Sequence, residues 1–152
     1  MKKLLILSDT HGNISGIEKL KNIMAESDYI IHLGDHQKDI KLYKEFDNKI
    51  YSVLGNCDGG GQDKIIEIEG LKILLTHGDK HGVKSGLLNL FLHAKELGVN
   101  AVFYGHTHCS LIEEKDGITF INPGAMSGVW GKSYCYAVIY NNKITAKIVD
   151  LV

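Results

Sequence analysis

The stretch KLLILSDTHGNISGIEKL, residues 3–20, decides how this chain folds. Lys3 to Leu7 is a short, continuous apolar run, which reads as a strand buried on both faces. A polar turn follows, and Asn13 can then cap a helix whose inward face carries Ile14, Ile17, Leu20 and Met24 at three- and four-residue spacing. Tyr29 to Leu33 repeats the strand signal, Ile40 to Phe46 the helix signal and Ile50 to Leu54 the strand signal. The first third therefore predicts consecutive βαβ units and a parallel sheet.

Further along, the pattern changes. KIIEIEGLKILLTH, residues 64–77, alternates apolar and polar positions around Glu69 and Gly70, as a hairpin does on its way into a more buried strand. Val83 to Leu97 predicts a helix stopped by Gly98, and Val99 to Tyr104 another strand. Two more hairpin turns are signalled at Asp116-Gly117 and Asn141-Asn142, flanked by the period-two segments ITFIN and TAKIVDL. The expected class is mixed α/β, with αβ units first and antiparallel strands later. No repeat, linker or composition shift divides the chain, so residues 1–152 are expected to form a single domain.

Composition narrows the function. The chain has 44% apolar and 23% charged residues with one proline, the balance of a globular protein that buries an ordinary core. Its net charge is -1, and all 17 basic residues are lysines. Without arginine there are no guanidinium forks for phosphates, and without a basic excess there is no nucleic-acid footprint, so a nuclease or other nucleic-acid partner is disfavoured. Cys57, Cys109 and Cys135 are odd in number and form no CxxC pair, which fits a reducing, cytoplasmic compartment. The apolar run at the start has only four residues before Ser8 and Asp9, too short for a signal peptide, and no run is long enough for a membrane span.

Five polar signatures fall at the carboxyl ends of five expected strands: SDTHGN, GDH, GNCD, THGD and GHTH. In open α/β sheets, that edge is where loops converge on a site. Their polar contents are Asp9, His11, Asp35, Asn56, His77, His106 and His108, a set of oxygen and nitrogen donors without thiolate that suits manganese, iron, zinc or nickel. Seven donors exceed what one tetrahedral ion takes and suit two ions sharing a carboxylate. Asp9 with His11, and His106 with His108, share an i, i+2 spacing that points side chains the same way in extended chain.

The ordered set DxH, GD, GNxD, HG and GHTH resembles that of the calcineurin-like metallophosphoesterases, and the short chain with cysteine in GNCD is similar to the YfcE-type phosphodiesterase group. The resemblance spans essentially the whole chain. It implies a two-sheet β-sandwich flanked by helices, with Asp9, His11, Asp35 and His108 on one metal. Asp35 would be shared with a second metal held by Asn56, His77 and His106. The implied cofactors are two divalent ions, Mn2+ first, with Ni2+, Fe2+ or Zn2+ as alternatives. The implied activity is hydrolysis of a small phosphate ester by a water that the two ions acidify. Counting about +4 for the ions, -2 for Asp9 and Asp35 and -1 for hydroxide leaves about +1, which matches a singly charged phosphodiester better than a dianionic monoester.

The chain also departs from the family pattern. Cys57 stands where many relatives have a histidine that can protonate the leaving oxygen, so Cys57 is the candidate proton donor and Asp58 the residue to orient it. The second histidine of an HGH motif is displaced, giving His77-Gly78-Asp79-Lys80-His81. After the NPG segment, Trp130 and Lys132 are the candidates for lining a substrate pocket. A phosphomonoesterase or nucleotidase on the same site, or a protein-binding scaffold similar to a retromer subunit, are the competing functions, and a homo-oligomer stays open. Other histidines carry plainer readings. His32 in a strand and His93 in a helix are expected to be structural, and His36 and His81 to face solvent or to back the ligands. Cys109 and Cys135 read as packing residues and Glu113-Glu114 as surface.

Overall fold

A computed structural model describes residues 1–152. Ten strands form two five-stranded sheets that face each other. The first contains β1 (Lys2–Leu7), β2 (Tyr29–His32) and β3 (Ile50–Ser52) as parallel neighbours, with β9 (Ser133–Tyr140) antiparallel to β1 and β10 (Lys143–Asp150) on the outer edge. The second has the order β4 (Lys64–Ile68), β5 (Leu71–Leu75), β6 (Ala101–Phe103), β8 (Ile118–Asn122), β7 (Leu111–Lys115), with β5, β6 and β8 parallel.

Period two in the strands builds the layers. Leu4 and Ile6 of β1 point into the core between the sheets, where they join Ile31 and Leu33 from the first sheet and Ile73, Leu75, Ala101 and Phe103 from the second. Leu5 and Leu7 point the other way and pack on Ile17, Leu20 and Met24 of the helices α1 (Ile14–Glu18) and α2 (Lys21–Glu26). On the far side, Leu74 and Val102 meet Leu90, Phe91 and Ala94 of α3 (Leu88–Leu97). The expected two-sheet sandwich flanked by helices is the observed fold. No helix is long and apolar enough to cross a membrane.

All three hairpins form at the expected dipeptides. Residues Glu69 and Gly70, Asp116 and Gly117, and Asn141 and Asn142 have positive φ at both turn positions, the backbone that matches the twist of the paired strands. The helices are less regular than their apolar spacing predicts. The first breaks at Leu20 (φ -93°, ψ 3°) into α1 and α2. The expected helix over Ile40 to Phe46 is instead two 3-10 turns, Gln37–Leu42 and Lys44–Lys49, divided at Tyr43 (φ -90°, ψ 72°). Only Leu88–Leu97 of the expected Val83–Leu97 helix is α-helical, because Gly86 at φ 123° separates it from the 3-10 turn Val83–Ser85. Gly98 ends α3 in the left-handed conformation, as its position predicts.

His32, at the end of β2, is fully buried and belongs to the framework. Its Nδ1 accepts from the Gly34 N–H at 3.1 Å, and its Nε2 donates to the Thr10 hydroxyl at 3.0 Å. Thr10 in turn donates to Asp39 at 2.8 Å. Burial holds the imidazole pKa down to about 4. The unfolded chain takes up this proton near pH 6.5 and the fold only near pH 4, so between those values the unfolded state binds more protons and stability falls as pH falls. His32→Gln should therefore lose about 3 kcal/mol less than the parent between pH 7 and pH 4 in urea unfolding. Equal acid sensitivity of the two proteins would show that His32 carries none of it.

Candidate metal centre

Five loops leave the carboxyl ends of parallel strands and meet at one edge of the sandwich. β1, β2 and β3 deliver Asp9 and His11, then Asp35, then Asn56. From the second sheet, β5 delivers His77 and β6 delivers His106 and His108. All seven sequence-predicted donors are brought together. One donor atom from each of Asp9, His11, Asp35 and His108 lies within 4.8 Å of the others, and the same holds for Asp35, His77 and His106. Asn56 joins the second group through its Oδ1, 3.0 Å from His77 Nε2.

Asp35 sits between the two groups. Its Oδ1 accepts from the Cys57 N–H at 2.9 Å, which leaves Oδ2 at 3.5 Å from both His11 Nε2 and His77 Nε2. His77 is buried, and its Nδ1 can only donate to the Leu33 carbonyl at 2.7 Å, so in the neutral ring Nε2 carries a lone pair. That lone pair faces Asn56 Oδ1 at 3.0 Å, His106 Nδ1 at 3.1 Å and Asp35 Oδ2 at 3.5 Å. Asn56 Oδ1 and Asp35 Oδ2 are acceptors and bring no proton to that lone pair, and His106 Nδ1 brings one only in its Nδ1–H tautomer. On the other side, His108 Nε2 lies 3.1 Å from Asp9 Oδ1, and the buried Nε2 of His11 has no hydrogen-bond partner.

The electrostatics point the same way. Burial, against the opposing pull of the Ser8 hydroxyl and of His77 and His108, raises the pKa of the Asp9 carboxyl. Burial also pushes Asp35 up, but the Cys57 N–H bond and the neighbouring histidines outweigh it and leave the pKa below the usual value. His106 is held down by burial and by His77 and Lys84. A site with two buried carboxylates, converging imidazole nitrogens and an orphaned nitrogen fits divalent cations, which satisfy all of these groups at once.

The backbone is strained where it presents these groups. Of ten non-glycine residues with positive φ, six are Asp9, His11, Asp35, His36, His106 and His108, and the other four are in the hairpin turns. Such conformations cost on the order of 1–3 kcal/mol each and persist only where surrounding contacts impose them. The loops also approach too closely for side chains: a Cβ on Gly55 would strike the Asp35 carboxylate, and one on Gly105 would strike Ser8 and Asp9.

The imposing contacts come from residues that the sequence reading did not single out as props. Asp39 accepts from the Thr10 hydroxyl at 2.8 Å and from the Gly12 N–H at 2.7 Å, holding the Asp9 loop. Ser8 Oγ donates to Asp9 Oδ2 at 2.6 Å, and Ser127 Oγ to the Asp9 carbonyl at 2.7 Å. Asn122 donates to the Gly105 carbonyl at 3.2 Å and to Thr107 at 3.0 Å, bracing the GHTH loop. The NPG segment was the available signal for Asn122. Asn13 both caps α1 through Gly16 and donates to the Met126 carbonyl.

Asp58 has a different place from the one expected. Its oxygens accept from the backbone N–H groups of Asp35, His36 and Gly55 at 2.8, 2.7 and 3.0 Å. It clamps the Asp35 loop and makes no hydrogen bond to the Cys57 side chain. Cys57 is exposed at the rim, and desolvation followed by the negative charge of Asp35 raises its pKa, so the thiol stays protonated at neutral pH. A cavity of about 350 Å³ opens beside His108 and is lined by Trp130 and Lys132, the two expected pocket residues.

Residues 1–143 match the calcineurin-like phosphoesterase superfamily domain, and the chain belongs to that superfamily. Among its relatives, the probable metallophosphoesterase YsnB of Bacillus subtilis is 34% identical over 155 residues, covering 97% of this chain and 90% of that protein. Phosphodiesterase MJ0936 of Methanocaldococcus jannaschii is 33% identical over 153 residues, covering 83% and 85%. Vps29 of Entamoeba histolytica, in a crystal structure complexed with Zn2+, shares the fold with a TM-score of 0.77 at 19% identity over 99% of both chains. At that identity the likeness shows the fold alone.

Asp58→Ala frees three backbone N–H groups behind Asp35 and should weaken Mn2+ binding about 10- to 100-fold in calorimetric titration while far-ultraviolet circular dichroism is unchanged. Undiminished binding would mean that the loop holds itself without the clamp.

Proposed function

We propose that this phosphoesterase is a phosphodiesterase acting on a small substrate with two divalent ions, Mn2+ first among them, in a reducing cytoplasmic compartment consistent with its three free cysteines. The observation that carries the reading is Asp35 Oδ2, equidistant at 3.5 Å from His11 Nε2 and His77 Nε2 and so suited to be the shared ligand. Asp9, His11, Asp35 and His108 would hold one ion, and Asp35, Asn56, His77 and His106 the other. Ions in such a pair supply Lewis-acid polarisation of phosphoryl oxygens and lower the pKa of water.

The chain's own residues do the rest. The Leu33 carbonyl fixes the tautomer of His77, and Asp58 and Asp39 hold the loops that carry Asp35 and Asp9 against backbone strain. That is positioning in advance of substrate, which spares reorganisation during the reaction. The Cys57 thiol stands at the rim as the proton donor to the leaving oxygen, a weaker one than imidazole. Trp130 and Lys132 beside His108 offer an apolar face and a cation to the substrate's organic part and its phosphate. Asp9 and Asp35 cancel part of the ionic charge, and the small positive remainder favours a monoanionic diester.

The test is hydrolysis of bis-p-nitrophenyl phosphate against p-nitrophenyl phosphate by chelator-stripped and Mn2+-restored protein. Restored activity with faster diester cleavage is expected. Monoester preference would move the enzyme to the phosphomonoesterases, and no activity with Mn2+, Ni2+, Fe2+ or Zn2+ would favour a scaffold. In the same assay, Cys57→His should raise turnover of diesters with poor leaving groups about tenfold. An unchanged leaving-group dependence would remove the role given to Cys57.

A further inference from the structure

A separate cluster of donors lies on the α3 side of the second sheet. Asp63 precedes β4, His81 closes the 3-10 turn Asp79–His81, and His93 is on α3. One donor atom from each lies within 4.8 Å of the other two. His81 Nε2 is 2.7 Å from Asp63 Oδ2, while the Thr76 hydroxyl donates to Asp63 Oδ1 at 2.7 Å and fixes the carboxylate. The rings of His81 and His93 stack with centroids 4.8 Å apart and planes 28° apart. All three residues are half-buried, so the cluster is sheltered yet open to an ion from solvent.

We propose that Asp63, His81 and His93 form a third cation site, distinct from the seven-donor centre, that takes Zn2+ or a similar borderline ion. Two imidazoles and one carboxylate are a donor set that binds zinc with a fourth position left for water. A tetrahedral ion with bonds of about 2.0–2.1 Å holds its donors roughly 3.3 Å apart, so donor atoms that lie within 4.8 Å of one another need to close by at most about 1.5 Å. The Thr76 hydroxyl already does what outer partners do at metal sites, orienting one carboxylate oxygen so that the other faces the ion. When the ion enters, the proton between His81 Nε2 and Asp63 Oδ2 leaves to solvent. The ion would add α3 to the link that His81 and Asp63 already make between the turn after His77 and the loop before β4.

The experiment is equilibrium dialysis against Zn2+ with elemental analysis, on the full chain and on the variants His93→Ala and Asp63→Asn, with thermal unfolding in parallel. The parent should retain one equivalent more than either variant, and Zn2+ should raise its Tm further than theirs. Equal zinc content and equal Tm shifts in all three would overturn the site. The reading is a difference, so it stands apart from the dinuclear proposal: if the main centre held fewer than two ions, parent and variants would fall together and the one-equivalent gap would persist. Should His93→Ala fail to fold, Asp63→Asn, nearly equal in shape, decides the question alone.

Discussion

The rest of the structure is arranged around one constraint: electron-rich groups crowd together at a partly buried edge of the sandwich where the chain provides no arginine and no bonded lysine to balance them. Asp9 is fully buried, Asp35 nearly so, and the lone pair of His77 looks onto two acceptor oxygens, Asn56 Oδ1 and Asp35 Oδ2. In a low-dielectric pocket each of these is costly unless a positive charge meets it. Divalent ions meet them all. The strained backbone at Asp9, His11, Asp35, His106 and His108 then has a physical reason, because a regular turn would point these side chains elsewhere.

The fold delivers this arrangement by a simple geometric device. Parallel strands in each sheet send their carboxyl ends to the same edge, and facing the sheets across the core brings the two sets of loops into contact. Neither sheet alone carries a complete group of donors. Asp9, His11 and Asp35 from the first need His108 from the second, while His77 and His106 from the second need Asp35 and Asn56 from the first. The centre therefore depends on the packing of Leu4, Ile6 and Ile31 against Ile73, Leu75 and Phe103. Loss of that packing would separate the donors even with every ligand residue intact.

Much of this was legible in the chain because it is local. β1 and its loop read directly, since five consecutive residues show the strand and the next six show the donors, and the hairpins at Glu69-Gly70, Asp116-Gly117 and Asn141-Asn142 read from residues that tolerate positive φ. The helices read less well, because apolar spacing alone does not mark the breaks at Leu20 and Tyr43. The supporting residues were the least legible. Asp58 looked like a partner for its neighbour Cys57, yet it holds the N–H groups of Asp35 and His36 more than 20 positions away, and Asp39 holds Gly12 in the same long-range manner. Such contacts exist only once the chain is folded and leave no periodic trace.

The most direct measurement is anomalous diffraction at the manganese edge from crystals of the protein equilibrated with Mn2+. Two peaks about 3.5–4 Å apart, one on each side of Asp35, are the predicted result. A single peak, or peaks that leave Asp35 out, would contradict the account at its centre.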